Sequence, residues 1–120
     1  MGGGTRTGFI DNITIKVHYS APLPVGLSRF MAFPMPGKIK LEWTTSSETN
    51  NDYFAVERSR NGTTFEQLGT VKGAGNSSTE KNYFFHDLKP QSGNTYYRLK
   101  QTDFNGKYTY SDLLSLAANA

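Results

Sequence analysis

Lys38-Ile39-Lys40-Leu41-Glu42-Trp43-Thr44 alternates apolar and polar side chains without a break, and this stretch decides the fold. A period of two places Ile39, Leu41 and Trp43 on one face and the charged residues on the other, the pattern of a strand with one buried side. Downstream, residues 46–51 are polar and predict a turn. Residues 53–59 resume the alternation, with Phe54 and Val56 inward. Asn61-Gly62 then closes a hairpin, because both residue types tolerate the positive φ of tight turns. The return strand spans residues 64–72 with Phe65, Leu68 and Val71 as its apolar set, and their three-residue spacing predicts a bulge near Gly69.

Residues 73–81 are a loop by composition, and residues 82–86 form a short aromatic strand. Leu88-Lys89-Pro90-Gln91-Ser92-Gly93-Asn94 turns into a strand over residues 95–101, with Tyr97 and Leu99 on one face and Tyr96 and Arg98 on the other. Asp103-Phe104-Asn105-Gly106 makes a second hairpin turn, residues 107–116 form the last strand, and residues 117–120 are a frayed tail. Upstream, residues 25–33 carry Val25, Leu27, Phe30 and Phe33 and end at the turn Pro34-Met35-Pro36-Gly37. Ser20-Ala21-Pro22-Leu23-Pro24 reads as a stiff linker over residues 20–24. Before it, residues 9–19 alternate with Ile13, Ile15 and Val17 on one face. The prediction is an all-β chain: seven strands over residues 25–116 at roughly 8 to 12 residue spacing, in a two-sheet antiparallel Greek-key sandwich, with an extra N-terminal strand. Trp43, Phe54, Val56, Tyr97 and Leu99 form its core.

Composition agrees. The 120 residues are 36% hydrophobic and 13% aromatic, with eight Phe and seven Tyr, so the apolar mass lies in rings that strands favour. Thirteen basic against ten acidic residues give a net charge of +3, scattered singly, which argues against a nucleic-acid partner. No cysteine is present, so a disulfide framework and a thiolate metal site are both excluded. The longest apolar candidate, residues 113–118, is far short of the ~20 residues of a membrane-spanning helix. Met1-Gly2-Gly3-Gly4-Thr5 has neither the basic region nor the apolar core of a signal peptide, and reads as an artificial start or an internal fragment.

Few residues invite catalytic readings. Glu48, Asp52 and Glu57 are the carboxylates to weigh for glycoside hydrolysis, which needs two acids held across a cleft; for Glu57, beside Arg58 on a strand, a cross-strand ion pair is the simpler account. His18 and His86 lie far apart in sequence without a third ligand at metal spacing. Asp103 to Gly106 has the oxygen-rich look of a calcium loop but lacks the downstream Glu, and Asp11-Asn12 is a weaker candidate of the same kind. Gly73-Ala74-Gly75 lacks the Lys-Ser/Thr that phosphate binding needs. No metal, cofactor or catalytic set is therefore expected. Parity puts Tyr53, Phe84, Tyr96 and Tyr108 on outer faces, where rings either shield the sheet through cross-strand pairs or stack on sugars.

Leu88-Lys89-Pro90 with Gly93 and Thr95-Tyr96-Tyr97-Arg98-Leu99 resembles the run into the penultimate strand of fibronectin type III domains, immunoglobulin-like sandwiches in which a tyrosine hydroxyl bonds back to the chain at that corner. The resemblance implies Tyr97 as the inward ring and Trp43 as the core tryptophan. A closer resemblance runs from residue 23 to 116. It is carried by Leu23-Pro24-Val25, Leu41-Glu42-Trp43-Thr44-Thr45-Ser46-Ser47-Glu48, Asn50-Asn51-Asp52-Tyr53-Phe54, Val56-Glu57-Arg58-Ser59, the run from Gly69 to Ser78, and Tyr96-Tyr97-Arg98-Leu99-Lys100-Gln101 with Asp103, Gly106 and Tyr110-Ser111. This is similar to a module of large exported proteins of the Bacteroidetes, of the type that precedes a type IX secretion sorting domain. The resemblance implies a secreted or cell-surface parent and a non-catalytic spacer joining a functional domain to a sorting or anchoring element, with neighbouring domains as partners. A carbohydrate-binding module using the exposed rings is the alternative. Gly8-Phe9-Ile10-Asp11-Asn12-Ile13-Thr14-Ile15 resembles the closing strand of jelly-roll domains, which implies that residues 1–19 are the tail of an upstream neighbour. Such a strand adds to the sandwich edge or mediates self-association through residues 9–19.

Overall fold

The computed structural model describes residues 13–15 and 25–117. Strand makes up 73% of it, and no helix occurs among the described residues. Eight strands follow in order: β1 (Ile13–Ile15), β2 (Val25–Met35), β3 (Lys38–Ser59), β4 (Phe65–Ser77), β5 (Lys81–Asp87), β6 (Thr95–Asp103), β7 (Tyr108–Tyr110) and β8 (Leu114–Leu116). Every pairing is antiparallel.

The 22 residues of β3 organise the molecule. Its first half lies between β2 and β5, with Trp43 opposite Phe30 on one side and Tyr83 on the other. Its second half lies between β4 and β6, with Val56 opposite Gly69 and Leu99. β6 carries β7 and β8, and β8 carries β1. Between its halves β3 doubles back. Trp43 and Phe54, on opposite sides of the corner, bring their ring centroids within 5.4 Å, and Arg58 reaches Asp87, the residue that pairs with Ile39 near the strand's start. The result is one curled antiparallel sheet whose halves face each other in a sandwich-like arrangement.

Residues 46–51, predicted as a turn, are therefore part of the strand. Their polarity marks a corner rather than an exit into solvent. Asn50 takes the left-handed conformation at φ 58°, which Asn tolerates better than most residues, and the register shifts between Glu48 and Tyr53 give the chain its extra reach. The β4 strand also runs past its predicted end at Lys72 to Ser77, because Gly73 to Ser77 keeps pairing with the corner. The single last strand predicted over residues 107–116 is two, broken at Ser111, whose backbone N–H donates to Leu99 O at 2.9 Å and whose hydroxyl accepts from Leu99 N–H. Val56 pairs with Gly69 and Glu57 with Gln67, so Leu68 is the extra residue of a bulge beside Gly69. Gly62, at φ 80°, closes the turn at Asn61-Gly62. Of the leading strand only residues 13–15 are described; they pair with β8 of the same chain, Ile13 opposite Leu116. The linker at 20–24 and the tail at 118–120 lie outside the described residues.

One core fills the space between the halves. Trp43, 1% exposed, stacks on Tyr83 at 5.8 Å and meets Phe30 and Phe54 edge-on. Val56, Tyr97, Leu99 and Leu114 extend the cluster. On β2 the irregularity between Gly26 and Arg29 resets the alternation, so Ala32 rather than the expected Phe33 points inward.

Gly73 lies where the corner is tightest. A Cβ there would run into the Asn51 side-chain amide and stand 2.8 Å from the Asn51 backbone oxygen. Neither can retreat, since Asn51 is itself fully buried. Gly73→Ala should therefore destabilise the fold by about 2 kcal/mol, read as a lower urea midpoint with an unchanged slope.

Candidate functional site

Two buried polar clusters and two decorated outer faces are the places where chemistry could reside. The first cluster occupies the corner of β3. Glu48 is 2% exposed, yet its carboxylate is ringed by donors: Asn51 Nδ2 at 2.8 Å and Ala74 N at 2.9 Å to one oxygen, Thr45 Oγ1 at 2.8 Å and Tyr83 Oη at 2.5 Å to the other. Asn51 Oδ1 accepts in turn from Gln101 Nε2, which also donates to Asp103 Oδ1. Burial by itself pushes the Glu48 carboxyl up, but its hydrogen bonds from Tyr83, Asn51, Ala74 and Thr45 outweigh this and hold it below the usual range. Burial, followed by the hydrogen bond to Glu48 and its charge, raises the Tyr83 phenol well above its ordinary value. Every lone pair of the carboxylate that faces the protein is thus already used.

The second cluster closes the opposite end of the sheet. Tyr97 Oη donates to Asp87 Oδ2 at 2.7 Å, Arg58 Nη1 donates to the same carboxylate at 3.0 Å, and Lys89 N–H caps its other oxygen at 3.1 Å. The Tyr97 hydroxyl thus reaches a side chain. Burial first, then Asp87, raises the Tyr97 phenol well above its ordinary value. Arg58 also reaches Glu66 at 2.8 Å and the Lys89 carbonyl. Glu57 is in a cross-strand ion pair, as expected. Its partner is Arg98, directly opposite on β6, with Nε 2.7 Å from Glu57 Oε1.

The four rings singled out for sugar stacking do not come together. Tyr53, Tyr96 and Tyr108 belong to the strands of one half of the sheet, and Phe84 to the other. Tyr53 and Tyr96 are half-buried, the latter beside Gly62 and Leu113. Tyr108, 53% exposed, carries the Lys100 ammonium 4.1 Å from its centroid and meets Tyr110 at 68°. Arg98 is sandwiched between Phe65 and Tyr110, 3.8 Å from each ring centre. These faces are occupied by cations and are not coplanar, so the row is a cation–π ladder and not a flat platform. Phe84, 57% exposed, stands beside a shallow groove of about 190 Å³ lined by Arg29, Lys40, Glu42, Thr44 and Asn82. Lys40 lies 5.4 Å over the ring, and the His86 ring is 5.3 Å away.

The carboxylates weighed for hydrolysis are spread out. Glu48 is sealed in the corner, Glu57 is held by Arg98, and Asp52 lies 4.0 Å from Lys72. Asp103 to Gly106 is a hairpin turn, with Gly106 N–H donating to Asp103 O at 2.9 Å and Asn105 Oδ1 accepting from Lys107 N–H. Gly73-Ala74-Gly75 lies within β4 rather than in a loop. His18, Asp11 and Asn12 fall outside the described residues. No group of three potential metal ligands occurs among those that are described.

No family model and no curated protein matches the chain. Among solved structures, a pectate lyase from Pectobacterium carotovorum is similar at a TM-score of 0.56 and 21% identity, over 76% of this chain and 26% of that one. The chain spans about a quarter of that protein's length, and the likeness is one of fold.

The Glu48 cluster makes stability depend on pH on the acid side. A carboxyl held below its ordinary value contributes stability that is complete above about pH 4.5 and is lost as the pH falls through the lowered value. Glu48→Gln removes that dependence. It should cost about 1–2 kcal/mol at pH 7, because the Thr45 and Tyr83 hydroxyls can turn to accept from the new amide, and the difference from the parent should narrow as the pH drops towards 3. Urea titrations at a series of pH values measure both.

Proposed function

We propose that this chain is a non-catalytic structural module of the fibronectin type III-like kind, a seven-stranded sandwich in a secreted or cell-surface protein that spaces a functional domain from a sorting or anchoring element. The observation that carries this reading is the partition of the strands. Counting the halves of β3 separately and β7 with β8 as one, three strands lie in one half of the sheet and four in the other, and the chain crosses between halves three times, at the corner of β3, between β4 and β5, and between β5 and β6. Such a partition supports a Greek-key reading. The placement of the two polar clusters supports the same reading, since each fastens one end of the sheet.

Within the sandwich body, Val25 pairs beside the corner, opposite Glu48, while Leu116 pairs with Thr95 at the far end. Ile13 pairs with Leu116, so β1 starts beside the end of the body.

A tandem polyprotein of this chain pulled from its ends tests the mechanical role. Each module should unfold in one step, releasing about 3.5 Å of contour per residue. Gradual extension without a discrete step would overturn it.

The groove beside Phe84 favours carbohydrate binding as a second reading. Its ring, the Asn82 amide and the charged groups of Arg29, Lys40 and Glu42 are the kinds of group that recognise a sugar face and its hydroxyls. Affinity electrophoresis in cellulose, xylan, chitin, starch and pectate gels decides between them. Unretarded migration is the expected result for a spacer, and retardation abolished by Phe84→Ala but not by Tyr108→Ala would favour the second reading.

A further inference from the structure

The sheet has five outer edges among the described strands, on β2, β5, β4, β7 and β1, and four of them are guarded. The β2 edge is broken by irregularities between Gly26 and Arg29 and carries Pro34. The β4 edge has three register shifts along its pairing and three glycines. The β1 and β7 strands are only three residues long each. Irregularity, proline and shortness are the devices by which natural sheets discourage pairing at their edges.

The β5 edge has none of them. All seven residues, Lys81-Asn82-Tyr83-Phe84-Phe85-His86-Asp87, pair with β3 in unbroken register, and no described strand pairs with the other side. The strand has no proline and no glycine, and its five central residues carry no carboxylate, lysine or arginine. Its inward rings, Tyr83 and Phe85, pack on the core but are only partly buried, unlike Trp43 on the neighbouring strand. On the outer face Phe84 is more than half exposed. A strand of this composition with a free row of backbone donors and acceptors is a template for one more strand.

We propose that β5 is a homodimerisation edge, pairing antiparallel with β5 of a second copy about a two-fold axis at Phe84. The sequence is suited to itself in this register. Centring on Phe84 is the one alignment that pairs all seven residues. It sets Asn82 against His86, Tyr83 against Phe85, Phe84 against its own copy, and the basic Lys81 end against the end that carries Asp87. The partly covered inner rings would then gain the second copy's rings as neighbours, and the half-sheet β2, β3, β5 would continue into its copy. A two-fold interface of this kind closes on itself and leaves no new edge beside it.

Sedimentation equilibrium tests the pairing. Between roughly 10 µM and 1 mM, where weak association is read as a shift in average mass, the mass should climb from 13.4 kDa towards twice that value. Phe84→Lys, a change at an exposed site, should stay at the monomer mass throughout. Because the chain has no cysteine, the register can be read separately by single substitutions. Facing residues in an antiparallel pair lie about 4.5–5.5 Å apart, within disulfide reach. With diamide accepting the two electrons and two protons that the thiols release, Phe84→Cys should therefore form a covalent dimer quickly. Asn82→Cys mixed with His86→Cys should do so as well. Asn82→Cys alone should not, its copies being roughly 13 Å apart, and neither should the equally exposed Tyr108→Cys. A constant mass of 13.4 kDa over the whole range, or Phe84→Cys coupling no faster than Tyr108→Cys, would overturn the proposal.

Discussion

A single negative charge, that of Glu48, is buried where the sheet turns over on itself, and the arrangement of both halves follows from how that charge is satisfied. An isolated carboxylate in such a place would be severely destabilising. Here four donors from three strands converge on it: Thr45 and Asn51 from β3 on either side of the bend, Ala74 from β4 and Tyr83 from β5. The corner can form only when those strands are in register. Because Tyr83 also stacks on Trp43, the polar fastening and the aromatic core share a residue, and a shift in one is felt in the other.

The alternating strands were the legible part of the sequence. Trp43, Phe54, Val56, Tyr97 and Leu99 stand inside the sheet, at positions where a strict period of two points. What escaped the reading were the buried polar residues, because polarity in a strand sequence signals a turn unless its partners are known. Thr45, Glu48 and Asn51 recur every third residue within a β context, a spacing that neither an exposed loop nor a regular strand requires, and this was the signal available. Their partners on β4, β5 and β6 are too remote in sequence to be inferred from spacing. Asp87 was hidden in the same way: it precedes the Leu-Lys-Pro run as an ordinary surface residue would, and only the pairing of β5 with β3 brings it under the Tyr97 hydroxyl and the Arg58 guanidinium.

The outer faces were legible in residue type but not in arrangement. Parity placed Tyr53, Tyr96 and Tyr108 on the outside, but the cations between the rings come from cross-strand neighbours. Arg98 is aligned by Glu57 and held between Phe65 and Tyr110, so an ion pair and two aromatic contacts converge on one guanidinium. Interactions of this kind keep a solvent-facing aromatic surface ordered without making it a cleft.

The doubling back of β3 also bears on the order in which the chain assembles. Trp43 and Phe54 are eleven residues apart, so their meeting closes a short loop at small entropic expense, whereas Arg58 must find Asp87 and Leu99 must find Val56 across much longer stretches. An early nucleus built from β3 alone, with its indole and phenyl rings already in contact, gives the later strands a ready-made surface on which to dock. The molecule thereby combines a topology dominated by distant pairings, which ordinarily fold slowly, with an aromatic contact that is nearly local.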